Sequence, residues 1–218
     1  MFWKKKRTDK ASWELAYWQR RKRKERHLKN DHYQQHYTDL FGLTTEDYRN
    51  KKVLDIGCGP RGSLEWADVA AERYGLDPLA NEYLKLGAGK HKMSYVSAPS
   101  EAIPFADGYF DIVASFNSLD HVDDLDRTSA EIGRVTKPGG RFLLVVEINH
   151  PPTPTEPITL HRESLLAKFN GAFETHRDWS CAMLPDGHDI YGSVLADRRP
   201  ESDQEPAVFC VSFIRRSV

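Results

Sequence analysis

Lys52-Val53-Leu54-Asp55-Ile56-Gly57-Cys58-Gly59-Pro60-Arg61-Gly62 is the stretch whose reading decides the fold. Val53, Leu54 and Ile56 form a short apolar run of the kind found in strands buried on both faces. The run breaks into a glycine-rich turn, and Ser63-Leu64-Glu65-Trp66-Ala67 then begins a helical pattern. Glycines at 57, 59 and 62 lack a Cβ, so the backbone can turn sharply there and pass close to a ligand. Amides at a helix start would face that ligand's polar groups.

As bare spacing, Gly57-x-Gly59-x-x-Gly62 also fits a dinucleotide fingerprint. Asp55 tilts the choice, because it stands two residues before the first glycine, where a pyrophosphate would meet a negative charge. A cationic ligand, such as a sulfonium amino acid with a free ammonium, would be stabilised there instead. The run resembles the first motif of class I S-adenosylmethionine-dependent methyltransferases, hydrophobic-Asp-x-Gly-x-Gly.

Working outward, residues 51–148 alternate strand and helix patterns, the signature of a mostly parallel doubly wound sheet. Strands are expected at 52–56, 74–78, 93–97, 110–116 and 141–148, with helices at 62–73, 79–86 and 126–136. Thr159 is the expected cap of a helix over 160–169. The C-terminal part reads as antiparallel, with strands at 171–183 and 206–214 around a polar excursion of turn residues at 185–204.

Further motifs fall in register with the first. Ser100-Glu101-Ala102-Ile103-Pro104-Phe105, followed by Asp107-Gly108-Tyr109-Phe110-Asp111-Ile112-Val113, resembles the methyltransferase signature Ala-Glu-x-Leu-Pro-Phe…Asp-x-x-Phe-Asp-x-Val. Lys137-Pro138-Gly139-Gly140 matches the family's late structural turn. The resemblance covers about residues 50–148 and is nearest the small-molecule group that includes ubiquinone and menaquinone C-methyltransferases.

The resemblance implies a Rossmann-like α/β fold. Its doubly wound, seven-stranded sheet would be mostly parallel with an antiparallel last strand, under an N-terminal helical cap. It implies S-adenosylmethionine as cofactor and S-adenosylhomocysteine as product. Asp55, Gly57, Cys58 and Gly59 would hold the methionine portion and Asn117 the amino-acid end. Asp77 with Pro78 would meet the ribose, and Ser100 with Glu101 would line the adenine pocket. The acid that usually precedes that pair is replaced here by Pro99, which leaves the adenine amine to other partners. From its position alone, Asp77 closes the second strand where a carboxylate accepts from a ribose diol, and capping the next helix is its competing role.

Methyl transfer needs an acceptor aligned in a water-excluding site, and a hydroxyl acceptor is helped by a general base. Asn117-Ser118-Leu119-Asp120-His121-Val122 follows the fourth strand, so His121 is the expected base or substrate ligand and Asp120 its orienter. His150 follows the fifth strand and reaches the same edge, ahead of a loop stiffened by Pro151, Pro152, Pro154 and Pro157. His161 at the next helix reads as a surface residue. No metal is expected in the site; a hard-oxygen site from Asp120, Glu147 and His150 is the minor alternative. The expected acceptor is a small sugar-like or phenolic hydroxyl.

The 218 residues are expected to form residues 1–45, a basic arm and helical cap, and residues 46–218, the Rossmann-like domain. Residues 1–10 read as disordered, 12–28 as a helix capped by Ser12 with Trp13, Ala16 and Tyr17 on one face, and 31–41 as a second helix stopping at Gly42. The net charge of −1 hides an asymmetry, because residues 1–30 carry twelve Lys/Arg against three Asp/Glu. Such an arm could meet an anionic membrane or nucleic acid, and an RNA methyltransferase or binding protein is the rival function. A nicotinamide oxidoreductase is disfavoured by Asp55, and a non-catalytic scaffold by the intact glycine turn. Cys58, Cys181 and Cys210 form neither a disulfide framework nor a metal cluster. With no apolar leader or spanning run, a cytoplasmic location is expected.

Overall fold

The computed structural model describes residues 2–185 and 189–217. Seven strands form one sheet: β1 (Lys52–Ile56), β2 (Glu72–Leu76), β3 (Ser94–Val96), β4 (Phe110–Phe116), β5 (Thr136–Ile148), β6 (Phe173–Ala182) and β7 (Ala207–Arg215). Their order is β3-β2-β1-β4-β5-β7-β6. The first five run parallel, while β7 pairs antiparallel with both β5 and β6. This is the doubly wound, mostly parallel sheet that the sequence pattern predicts.

Period-two alternation divides the core into two layers. On β5, Phe142, Leu144, Val146 and Ile148 pack toward one side, where α4 (Leu125–Val135) and α5 (Arg162–Phe169) lie. Leu143 and Val145 pack toward the other, together with Val53, Ile112 and Ala114. No helix 62–73 forms on that second side, contrary to expectation. Residues 62–71 are a chain of turns, closed by hydrogen bonds such as Ala67 N to Leu64 O (3.1 Å) and Ala70 N to Ala67 O (3.1 Å).

The space such a helix would need is filled by aromatic side chains from upstream. Tyr33, Tyr37, Phe41 and Tyr48 are buried against the sheet, and the Trp66 ring lies 4.9 Å from that of Tyr48 and 5.9 Å from that of Tyr37. Burying these rings outweighs the weak local preference of 62–71 for helix. The second helix expected at 31–41 is accordingly short: α2 spans Gln34–Tyr37, and a 3-10 turn at Asp39–Phe41 ends on Gly42 in the left-handed region.

Other boundaries also move. The first helix, α1, runs Phe2–Glu25, so residues 2–10 are helical and not disordered. The Lys137-Pro138-Gly139-Gly140 segment belongs to β5, whose register with β4 shifts between Phe110 and Ile112. Thr159 caps no helix; its hydroxyl donates to His150 O at 3.0 Å, and α5 starts three residues later. The excursion at 185–204 contains α6 (Ile190–Ala196), capped by Asp189, while residues 186–188 of it lie outside the described residues. A short α3 (Ala80–Lys85) follows β2. No described helix is long and apolar enough to cross a membrane.

Candidate active site

The carboxyl ends of β1, β2, β4 and β5 converge on two adjoining cavities, of about 180 and about 900 Å³. Glu14, Gly57, Asp77, Asn117 and His121 line both. The smaller cavity is bounded by Leu76, Pro78, Leu79, Pro99, Ser100 and Glu101; the larger by Asp55, Gly59, Phe116, Glu147, Glu156 and Tyr191. An open α/β sheet places its ligand at this edge, where the strand order reverses between β1 and β4.

Asp55 is buried at the end of β1 and accepts a short hydrogen bond from the Ser63 hydroxyl. Burial pushes its carboxyl up to about 7, opposed by hydrogen bonds from Ser63 and Tyr37 and assisted by the nearby Asp77 charge. Asp77, also buried, is pushed up to about 6 by burial, while the Leu79 and Gly59 amides that donate to it at 2.8 and 3.4 Å act the other way. Two buried carboxyls on one cavity wall suit a ligand with a cationic group and a diol.

Gly57, Gly59 and Gly62 all have positive φ, as the turn requires. The space that their missing Cβ atoms leave is taken by side chains of the protein itself. A Cβ on Gly57 would lie 2.2 Å from that of Ser118, one on Gly59 would lie 3.2 Å from the Trp18 indole, and one on Gly62 2.7 Å from the His91 ring. The turn is thus shaped for close packing of β4's following loop and of α1. Cys58 sends its thiol into the core, where a Cβ on Gly75 would meet it at 2.6 Å. Burial raises that thiol well above its usual range, which keeps it protonated and inert.

α1 lies over the larger cavity, to which it contributes Trp13, Tyr17 and Trp18. Arg61, buried in the glycine turn, ties it down by donating to both carboxylate oxygens of Glu25 at 2.8 Å and to Lys29 O at 2.9 Å. Neither Arg61 nor Ser63 was among the residues expected to act here. The signal available was their position in the turn, one of them a charged residue between glycines.

Ser100 and Glu101 reach the smaller cavity but are engaged elsewhere. The Ser100 hydroxyl is 3.0 Å from that of Thr128, and Glu101 accepts from the Asp123 and Asp124 amides at 2.7 and 3.1 Å. Asn117 is exposed in the left-handed region, its amide bonded to Val145 O at 2.7 Å.

Asp120, His121 and His150 come together as the sequence suggests. His121 Nε2 stands 3.8 Å from one oxygen of Asp120, and His150 Nε2 3.6 Å from the other. Asp120 has no solvent exposure, and the His150 imidazole is lifted to about 9, chiefly by its polar contact with the Asp120 carboxyl and against the effect of burial. Glu156, in the proline loop, adds a carboxylate oxygen 3.8 Å from His121 Nε2; nothing in its local sequence marks it. His161 is turned away and pairs with the Asn149 side chain at 2.7 Å on the surface.

Residues 54–144 match the family model described as methyltransferase domain. That stretch is similar to a methyltransferase domain. Among curated relatives, this chain is 37% identical over 114 residues to the chloroplastic tocopherol O-methyltransferase of Arabidopsis thaliana, covering 48% of this chain and 33% of that protein. It is 40% identical over 96 residues to the ubiquinone/menaquinone biosynthesis C-methyltransferase of Hahella chejuensis, covering 44% and 37%. The matched stretch spans less than half the length of either.

Solved structures share the fold. A putative S-adenosylmethionine-dependent methyltransferase from Listeria monocytogenes superposes with a TM-score of 0.61 at 17% identity, over 85% of this chain and 99% of that one. The [4+2]-cyclase SpnF superposes with 0.60 at 17%, over 80% and 79%. The shared fold accounts for the sheet edge, and the chemistry depends on the residues that reach it.

Proposed function

We propose that this chain transfers a methyl group from S-adenosylmethionine to a hydroxyl of a small sugar-like or phenolic acceptor. The observation that carries the reading is the position of His121, a half-buried imidazole on the wall shared by both cavities, next to a fully buried carboxylate. When bound, the cofactor supplies an electrophilic methyl group. Asp55 would hold its ammonium, with the Gly57-Cys58-Gly59 backbone and Asn117 around the amino-acid end. Asp77 would accept from the ribose diol, and Pro78, Ser100 and Glu101 would flank the base.

The acceptor would enter the larger cavity, between α1 and the proline loop. His121 would take the hydroxyl proton as the oxygen approaches the methyl group, and Asp120 would stabilise the imidazolium that forms. His150 would keep Asp120 in place. Residues 1–45 would serve as the lid and residues 46–218 as the catalytic domain, with closure of α1 excluding water. Deprotonating a phenol also activates its ring carbon, so the methylated atom of the product separates O-methylation from C-methylation, for which one relative is named.

The test is S-adenosylhomocysteine release from the full chain over a panel of phenols and sugars, with the methylated position assigned by mass spectrometry and NMR. The proposal expects methyl ethers. It expects His121→Ala to lower kcat by 10²-fold or more, in the range of general-base loss, while S-adenosylhomocysteine still binds. Methyl groups found only on carbon, or an unaltered kcat in His121→Ala, would overturn the hydroxyl assignment.

A further inference from the structure

The carboxylate of Asp120 is the anomaly of the site. It has no exposure, and neither of its oxygens has a hydrogen-bond partner among the described residues. A buried carboxylate in that condition is costly by several kcal/mol unless a cation or hydrogen-bond donors meet it. Two imidazoles approach it, but at 3.6 and 3.8 Å they stand beyond hydrogen-bond length.

Those same distances suit donors arranged around a common cation. The carboxylate of Asp120, the imidazole of His121 and the carboxylate of Glu156 bring one donor atom each to within 4.8 Å of one another. A cation with bonds of about 2.1 Å separates neighbouring ligands by roughly 3.0–3.4 Å, so a contraction of well under 1 Å per pair would close the shell on the 3.8 Å pairs.

The surrounding chain holds these donors in the needed state. Glu156 Oε2 accepts from the Thr153 hydroxyl at 2.9 Å, and that hydroxyl accepts from the Glu156 amide at 3.0 Å, which leaves Oε1 toward His121. His150 Nδ1 lies 2.9 Å from Pro151 O, an atom that only accepts, so Nδ1 carries the hydrogen. His150 Nε2 faces Asp120 at 3.6 Å, and as an imidazolium it is a cationic neighbour of that carboxylate and not a ligand.

We propose that Asp120, His121 and Glu156 bind a divalent first-row transition cation. Mixed imidazole and carboxylate donors favour manganese, iron or zinc over magnesium or calcium. His121 and Glu156 line the larger cavity, so the open coordination positions face the acceptor space. The cation would bind and acidify an acceptor hydroxyl, whose proton would pass to water at the open coordination positions, and His121 would then serve as a ligand in place of acting as base. The binding claim stands without the methyl-transfer reading; only the role given to the cation rests on it.

Titration of the metal-stripped full chain with Mn²⁺, followed by electron paramagnetic resonance and by calorimetry with Zn²⁺, tests the site without an activity assay. One saturable equivalent is expected, weakened at least tenfold in Glu156→Gln and in Asp120→Asn. The half-buried loop position of Glu156 lets its variant report on binding even if Asp120→Asn misfolds, and S-adenosylhomocysteine binding serves as the folding control. Absence of saturable binding by either metal, or binding unaltered in Glu156→Gln, would overturn the site. Either outcome leaves His121 as a general base to be judged by its own kcat test.

Discussion

Arg61 and Glu25 are joined by a two-pronged ion pair: both terminal guanidinium nitrogens of Arg61 lie 2.8 Å from a separate oxygen of Glu25. One residue sits between the glycines of the β1 turn, the other near the end of α1, 36 positions earlier. The pair therefore fastens the helix that covers the cavity to the turn that forms its floor. The Trp18 indole, 5.4 Å from the Arg61 guanidinium, packs over Gly59 between them. Bidentate pairs of this kind specify geometry as well as contributing energy.

Arg61→Ala is expected to release α1 and to cost about 2 kcal/mol of stability, because it removes charged hydrogen bonds at a nearly buried position. Limited proteolysis should show cleavage within residues 10–30 that the unmodified chain resists, and urea unfolding should give the stability loss. Cleavage at the same rate in both proteins would mean that the pair does not hold the lid.

Asp55 links stability and binding to pH in opposite directions. Its folded-state carboxyl lies near 7, above the ordinary carboxylate value, so the folded chain keeps a proton that the unfolded chain has released. Its contribution to stability is complete below about pH 4 and declines as pH rises to about 7. Above that, holding the buried charge costs on the order of 4 kcal/mol. A ligand ammonium beside Asp55 offsets that cost, so S-adenosylmethionine affinity should increase as pH rises toward 7 and then level off. Asp55→Asn should be more stable than the unmodified chain at pH 8 and bind the cofactor more weakly, with a flat profile. Calorimetry between pH 5 and 8 reads both.

Gly57 and Gly42 share a left-handed backbone but differ in surroundings. A Cβ at 57 would overlap Ser118 at 2.2 Å, whereas nothing lies within 4 Å of one at 42. Gly42→Ala should cost about 1–2 kcal/mol from backbone strain alone. Gly57→Ala adds overpacking and should cost about 3 kcal/mol or more. Equal urea midpoints for the two variants would show that the Ser118 loop yields freely.

Asp77 accepts amides on both oxygens and still borders both cavities. Asp77→Ala should weaken S-adenosylhomocysteine by tenfold or more, about 1.4 kcal/mol. A ligand that lacks the ribose diol should bind the variant and the unmodified chain alike. If both ligands lose affinity equally, the carboxylate acts through the turn and not on the ribose.

Much of this protein is decided by the sequence itself. The apolar runs at 52–56 and 110–116 bound β1 and β4 to the residue, because strands buried on both faces advertise themselves locally. The order of motifs determines the parallel sheet, and Asp55, Asp77, Asp120 and His121 reach its carboxyl edge because they follow strand ends. Tertiary structure decided what packs between those elements. Residues 62–71 carry a helical pattern yet form turns, since rings from Tyr33, Tyr37 and Tyr48, distant in sequence, occupy the sheet face. The Arg61–Glu25 fastening and the approach of Glu156 to His121 likewise join segments with no shared periodicity. Local pattern specifies which face of an element is apolar, and only the folded chain determines which distant side chain covers it.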